Sequence, residues 1–181
     1  LAWQAELVRY WLSSQGVPLP SMAITEQILG AASSKLDANP QVNWQGFSVK
    51  RFQGELLVVT QSEHPQEQSV RMEQGAEIRI EHLDLMLVTS GPDQAQLSID
   101  LPCTMAIRYD GFGTRFKPQG SPHSKPLKQW FKEWQIPPWQ RSTIPQVWVN
   151  NEIVAIIRQD VLLIGDNQHN QSAGLRLTRV I

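Results

Sequence analysis

The sequence predicts an α+β fold: an N-terminal helical pair with a small antiparallel meander, then a mostly antiparallel β domain carrying one amphipathic basic helix. Three observations predict it. Apolar residues recur at helical spacing at the start of the chain and again after Ser124. Between and beyond these stretches the apolar period is two. Gly, Pro, Asn and Asp interrupt the pattern at short intervals, as connected antiparallel strands require. The 181 residues, 41% hydrophobic and 18% charged, have globular and not disordered composition. No apolar run is long enough to span a bilayer, so no membrane partner is expected.

In the first helix, Trp3, Leu7, Tyr10 and Trp11 fall at i, i+4, i+7 and i+8, one apolar face over residues 2–14. Gly16 and the Pro18/Pro20 pair stop it. Ser21 is the expected N-cap of a second helix whose buried face is Ile24, Ile28, Leu29, Ala32 and Leu36, followed by a turn from Asp37 to Pro40. The period then changes to two. Val42 and Trp44, Phe47 to Arg51 and Leu56 to Val59 form a three-strand meander that turns at Gln45-Gly46 and Gln53-Gly54. These elements make a first domain over residues 1–62. Residues 63–76, rich in Gln and Glu, read as a linker, and residues 77–181 as the second domain.

There, Ile78 and Ile80, Leu83 to Val88, Leu97 to Leu101 and Met105 to Tyr109 read as strands. After Ser124, Leu127, Trp130, Phe131 and Trp134 form one tight apolar stripe on a helix, with Lys125, Lys128 and Lys132 on its other side. Ser124 is the expected N-cap, with Pro126 in the first turn. Pro137-Pro138 ends the helix. Trp139 beyond it reads either as a core residue or as a stacking platform. Val147 to Val149, Asn150-Asn151 and Ile153 to Ile157 give a hairpin signal. Val161 to Ile164 adds a strand, residues 165–174 are polar and read as mobile, and Leu175, Leu177 and Val180 close the sheet or fray.

Charge is distributed unevenly. Residues 105–141 hold seven cations against two acids, a net +5, whereas residues 63–104 hold eight acids and two arginines, a net −6. A basic loop leading into a helix start is an anion-binding feature, because unpaired N–H groups and the positive end of the helix dipole add to the side chains. A lysine face that merely solubilises a packed helix is the alternative. In the first domain, Arg9, Lys50 and Arg51 are the candidates for nucleic-acid contact, though each also reads as an ordinary surface charge.

Chemistry is sparse by comparison. Cys103 is alone, which leaves no internal disulfide and no cysteine-based zinc site, and the four histidines lack ligand spacing, so no metal is expected. There is no Gly-x-Ser-x-Gly elbow and no phosphate-cradling Gly-x-x-x-x-Gly-Lys-Ser/Thr loop. No catalytic residue is assigned.

The segment from Pro118 to Lys128, followed by Ile136 to Arg141 and Ile144-Pro145, closely resembles the C-terminal domain of bacterial tRNA(Ile)-lysidine synthases. Arg9 to Leu12, Gly16 to Ser21 and Ala38 to Pro40 resemble their middle, substrate-recognition domain. The chain departs from the usual family pattern at Gly111 to Arg115 and at Ser121.

The resemblance implies an enzyme that uses ATP and Mg to adenylate the wobble cytidine of an isoleucine tRNA with a CAU anticodon. Free lysine then displaces AMP. The catalytic domain lies outside this chain, which starts at Leu1, so ATP and lysine would be met only there and no cofactor is expected here. This portion would bind tRNA in the cytoplasm through Arg115, Lys117, His123, Ser124, Lys125, Lys128 and Arg141, with Lys132 on the same helix, and a homodimer is compatible with that role. Two other readings stay open: a protein-interaction module docking through a tryptophan-rich surface, and a hydrolase using His123 and Ser124.

Overall fold

The computed structural model describes residues 2–35, 38–60, 64–166 and 173–180. The chain forms two compact units, residues 1–63 and 64–181. Leu36 and Asp37, and residues 167–172 of the polar stretch near the C-terminus, lie outside the described residues.

The first unit follows the predicted order. Helix α1 (Ala2–Ser14) ends where Gly16 takes a φ of +70°. Helix α2 (Met22–Ala32) is capped by the Ser21 hydroxyl, which accepts from the Ile24 N–H. Strands β1 (Gln41–Trp44), β2 (Phe47–Phe52) and β3 (Glu55–Thr60) pair in that order as an antiparallel meander. Leu12, Ile28, Ala31, Val42, Trp44 and Val49 make its core.

The burial of α1 differs from the expectation. Trp3, Leu7 and Tyr10 are 68%, 58% and 74% exposed, and Trp11 is half-buried. The face that packs is the opposite one, with Ala5 and Leu12. Both sides of this helix carry apolar residues, and the smaller pair is the one that fits against the helix–sheet core. In α2 the buried alanine is Ala31, while Ala32 is exposed.

The second unit begins earlier than expected. The supposed linker contains strand β4 (Gln68–Met72), which pairs antiparallel with β8 (Cys103–Arg108) at a sheet edge. Its polar composition misled because Ser69 and Arg71 face solvent, while Val70 packs against the core and Met72 is fully buried. Strands β5 (Glu77–Ile80), β6 (Leu85–Ser90) and β7 (Leu97–Ile99) precede β8. A short ribbon follows, β9 (Arg115–Phe116) with β10 (Lys125–Pro126), then helices α3 (Leu127–Glu133) and α4 (Pro138–Arg141). Strands β11 (Gln146–Val149), β12 (Glu152–Arg158), β13 (Val161–Ile164) and β14 (Ala173–Arg179) complete the unit.

These strands form a five-stranded sheet, β13-β12-β11-β8-β4, and a four-stranded sheet, β5-β6-β14-β7. Every pairing among the described residues is antiparallel. The β11–β12 hairpin turns at Asn150-Asn151, both at positive φ as the sequence predicts. β14 closes the smaller sheet between β6 and β7 rather than fraying. Ile80, Leu87, Ile99 and Leu175 of the smaller sheet share one core with Met105, Ile107, Val147 and Ile157 of the larger. The larger sheet's other face, with Ala106, Trp148, Ile153 and Ile156, packs on α3. That sheet is therefore covered on both sides, which explains why β11 and β12 read as nearly continuous apolar runs. No helix of the described residues is long and apolar enough to cross a membrane.

Candidate nucleic-acid interface

The basic stretch forms a ribbon and a helix clamped to the five-stranded sheet. The apolar stripe of α3 is seated as predicted: Leu127, Trp130 and Phe131 are buried and Trp134 is half-buried. Trp130 Nε1 donates to the Phe116 carbonyl at 2.7 Å, and its ring stacks on Trp134 with centroids 5.7 Å apart. Phe112 meets Phe131 edge-on. At Gly111 the loop runs directly over β11. A Cβ there would lie 2.4 Å from Gln146 Oε1 and 2.7 Å from Trp148 Cζ2, and the Gly111 N–H donates to that same Gln146 oxygen. Only glycine fits this approach.

The helix start corrects the expected phosphate site. Pro126, not Ser124, occupies the N-cap position, with no side-chain cap, and α3 has only seven residues. Its first N–H groups are taken: Leu127 N donates to the Thr114 carbonyl and Lys128 N to the Phe112 carbonyl, each at 2.9 Å. The loop's backbone therefore fills the place predicted for an anion, and any grip on phosphate falls to side chains.

The structure brings several candidate side chains together. Strand pairing places Arg115 opposite Pro126 and Phe116 opposite Lys125, so Arg115, Ser124, Lys125 and Lys128 belong to one ribbon–helix junction. Lys132 lies one turn along α3, His123 adjoins Ser124, and Lys117 follows β9. Several are engaged locally. An Arg115 Nη donates to the Ser124 carbonyl. Lys117 pairs with Asp166. Lys125 pairs with Glu133 at 2.7 Å and sits 4.7 Å from the centre of the Trp130 ring. Arg141 donates through Nε to the Ile136 carbonyl at 3.0 Å. Lys128, Lys132 and His123 are exposed. Two of the seven cations in residues 105–141 are thus offset by carboxylates, one of them Asp166 from outside that stretch.

Arg9, Lys50 and Arg51 belong to the first unit. Arg9 donates to the Pro20 carbonyl at 2.9 Å, and Arg51 reaches the carbonyl and hydroxyl of Ser34. Arg9 thereby ties the α1–α2 loop to α1, and Arg51 ties the segment after α2 to β2, a structural use that the sequence left open. Trp139 is half-buried on α4, between the two expectations for it.

Catalytic geometry is sparse. Among the described residues the His123 ring and the Ser124 hydroxyl share no hydrogen bond, so the nucleophile–base arrangement is not formed. No group of three or more His, Cys, Asp or Glu among the described residues is arranged to hold a metal ion. Cys103 is buried, and that burial, with the Asp100 charge nearby, raises its thiol above the ordinary range.

Sequence reasoning missed the ribbon β9–β10, the helix α4 and a pocket beside α4 lined by Gln135, Gln140, Arg158 and Gln159. The pocket had no linear signal, because the 135–145 segment forms it only where it folds against Ile157, Arg158 and Gln159.

Comparison with known proteins is consistent along the chain. A family model described as the TilS substrate binding domain matches residues 1–57, and one described as the TilS substrate C-terminal domain matches residues 105–177. A tRNA(Ile)-lysidine synthase of Legionella pneumophila (strain Paris) is 29% identical over 153 residues, covering 83% of this chain. One of Photobacterium profundum is 30% identical over 155 residues, with the same coverage. The chain spans about a third (35%) of the length of these relatives. A crystal structure of a TILS C-terminal domain aligns over 64% of this chain and 99% of that one, at 17% identity and a TM-score of 0.42.

Proposed function

We propose, from the premise that this chain belongs to the TilS family and carries its substrate-binding and C-terminal domains, that it is the tRNA-holding portion of a tRNA(Ile)-lysidine synthase. The observation that carries the reading is the order of the two matched domains along one chain. The grouping of Arg115, Lys125, Lys128 and Lys132 on one ribbon–helix junction supports it. In this reading a further catalytic part of the protein uses ATP and Mg to join free lysine to the wobble cytidine of isoleucine tRNA with a CAU anticodon, in the cytoplasm. The present domains bind and orient the tRNA body. Phosphates position a nucleic acid without specifying it, so these cations supply grip and register.

The test is a gel-shift titration of isoleucine tRNA bearing CAU against methionine tRNA, repeated across salt concentrations. The expected result is tighter binding of the isoleucine tRNA and a steep linear fall of log K with log salt. Equal, salt-insensitive binding overturns the reading.

A second reading, a protein-interaction module, is favoured by one observation: the exposed Trp3, Leu7 and Tyr10 stripe of α1. It requires that tRNA affinity be weak and flat with salt.

A further inference from the structure

Between the C-terminal end of α3, helix α4 and the β12–β13 turn lies a pocket of about 190 Å³. It is smaller than the roughly 300–1,000 Å³ of sites for drug-sized ligands, so it suits a single ring system. Buried Ile136, Pro137 and Ile157 provide apolar lining. Gln135, Gln140 and Gln159 provide three exposed carboxamides, none with a side-chain hydrogen-bond partner among the described residues. Each carboxamide offers both donors and an acceptor, the equipment needed to read the edge of a heterocycle. Arg158 adds a planar cation, held by a 3.3 Å bond from its Nη to the Trp134 carbonyl.

Charge narrows the ligand. No carboxylate among the described residues lines this pocket, whereas a neighbouring one carries Asp84 beside an Asp160–Arg179 ion pair and is the less favourable of the two for an anionic chain. One further guanidinium stands at its rim: Arg141 donates through Nε to the carbonyl of the lining residue Ile136 at 3.0 Å. Ring-sized volume, amide edges and the guanidiniums of Arg141 and Arg158 together match a nucleotide in a chain. A paired base has its edge occupied and its faces stacked, so the base must be unpaired.

We propose that this pocket takes one unpaired RNA nucleobase, its edge read by Gln135, Gln140 and Gln159 while the guanidiniums of Arg141 and Arg158 hold a neighbouring phosphate. The proposal deepens the tRNA-holding reading and rests on it for the identity of the polymer.

The test uses four fluorescein-labelled tetraribonucleotides, of A, C, G and U, titrated by anisotropy at low salt beside a full tRNA transcript. The variant combines Gln140→Ala with Gln159→Gly. Gln159 sits at a φ of +56°, which glycine adopts freely, so the change removes an amide without straining the turn. A thermal melt checks that the variant folds. The expected result is a preference of about tenfold or more for one tetranucleotide in the native protein. In the variant that preference is lost, while the salt slope for tRNA is unchanged. Equal affinities in the native protein, or a preference that survives in the variant, overturn the proposal. If tRNA binds but no tetranucleotide does, the pocket reading falls and the tRNA reading stands. If tRNA does not bind, the tRNA reading falls, and a preference lost in the variant still supports the pocket.

Discussion

Helices α1 and α3 carry the same kind of stripe and meet opposite fates. Trp3, Leu7 and Tyr10 repeat at i, i+4 and i+7, as do Leu127, Phe131 and Trp134. In α3 the stripe is enclosed: the 112–116 loop lies along it and the five-stranded sheet lies beneath. In α1 the large residues stay in solvent while Ala5 and Leu12 pack inward. Periodicity shows that a helix has an apolar side. It does not show which of two apolar sides the neighbouring elements can reach.

The sharpest way to break this comparison is to truncate each stripe. Phe131→Ala removes a fully buried ring and is expected to cost the second unit about 3–5 kcal/mol in urea unfolding. Trp3→Ser should change the first unit by no more than about 0.5 kcal/mol. Similar costs for the two would mean that α1's stripe is seated after all.

The clamp over α3 is tested next. Gly111→Ala forces a methyl against Gln146 and Trp148 and should destabilise the second unit by about 1–3 kcal/mol in the same assay.

The exposed side of α3 follows. Lys128→Glu combined with Lys132→Glu should leave the melting temperature nearly unchanged, lower tRNA affinity by about tenfold or more and reduce the magnitude of the salt slope by about 2. An unchanged slope would return both lysines to a solubilising role. Lys125→Ala removes an ion pair and a cation–ring contact and should cost less than about 1 kcal/mol.

A pH titration probes the core that the two sheets share. Burial pushes the Tyr109 phenol from 10.0 up to about 12. A phenol held protonated by the fold contributes its full stability below pH 10, and that contribution is lost as the pH rises through about 12. Unfolding titrations should therefore show a loss of stability across this window that Tyr109→Phe removes.

Much of the fold was legible because its signals are local. The Ser21 cap, the Gln-Gly turns of the meander, the Asn150-Asn151 hairpin and the α3 stripe each depend on a few adjacent residues. β4 was hidden by its polar outward face, since an edge strand needs only one apolar side. The short ribbon β9–β10 was hidden because eight residues separate its strands and two pairs of residues leave no period to read.

The candidate site was legible as a cluster of charges but not as a geometry. That Lys125 would be taken by Glu133 follows from how α3 packs, and that Lys117 would meet Asp166 depends on a residue 49 positions away. The spent helix start was the least readable feature, because the carbonyls of Phe112 and Thr114 reach it across a loop.

That closed helix start decides what kind of hold this surface can exert. Amide dipoles locked into the scaffold would add a fixed, directional attraction for an anion. A hold made only of mobile ammonium and guanidinium groups fades toward nothing in concentrated electrolyte and can be retuned one residue at a time without disturbing the fold beneath it. Attachment and architecture are separable here.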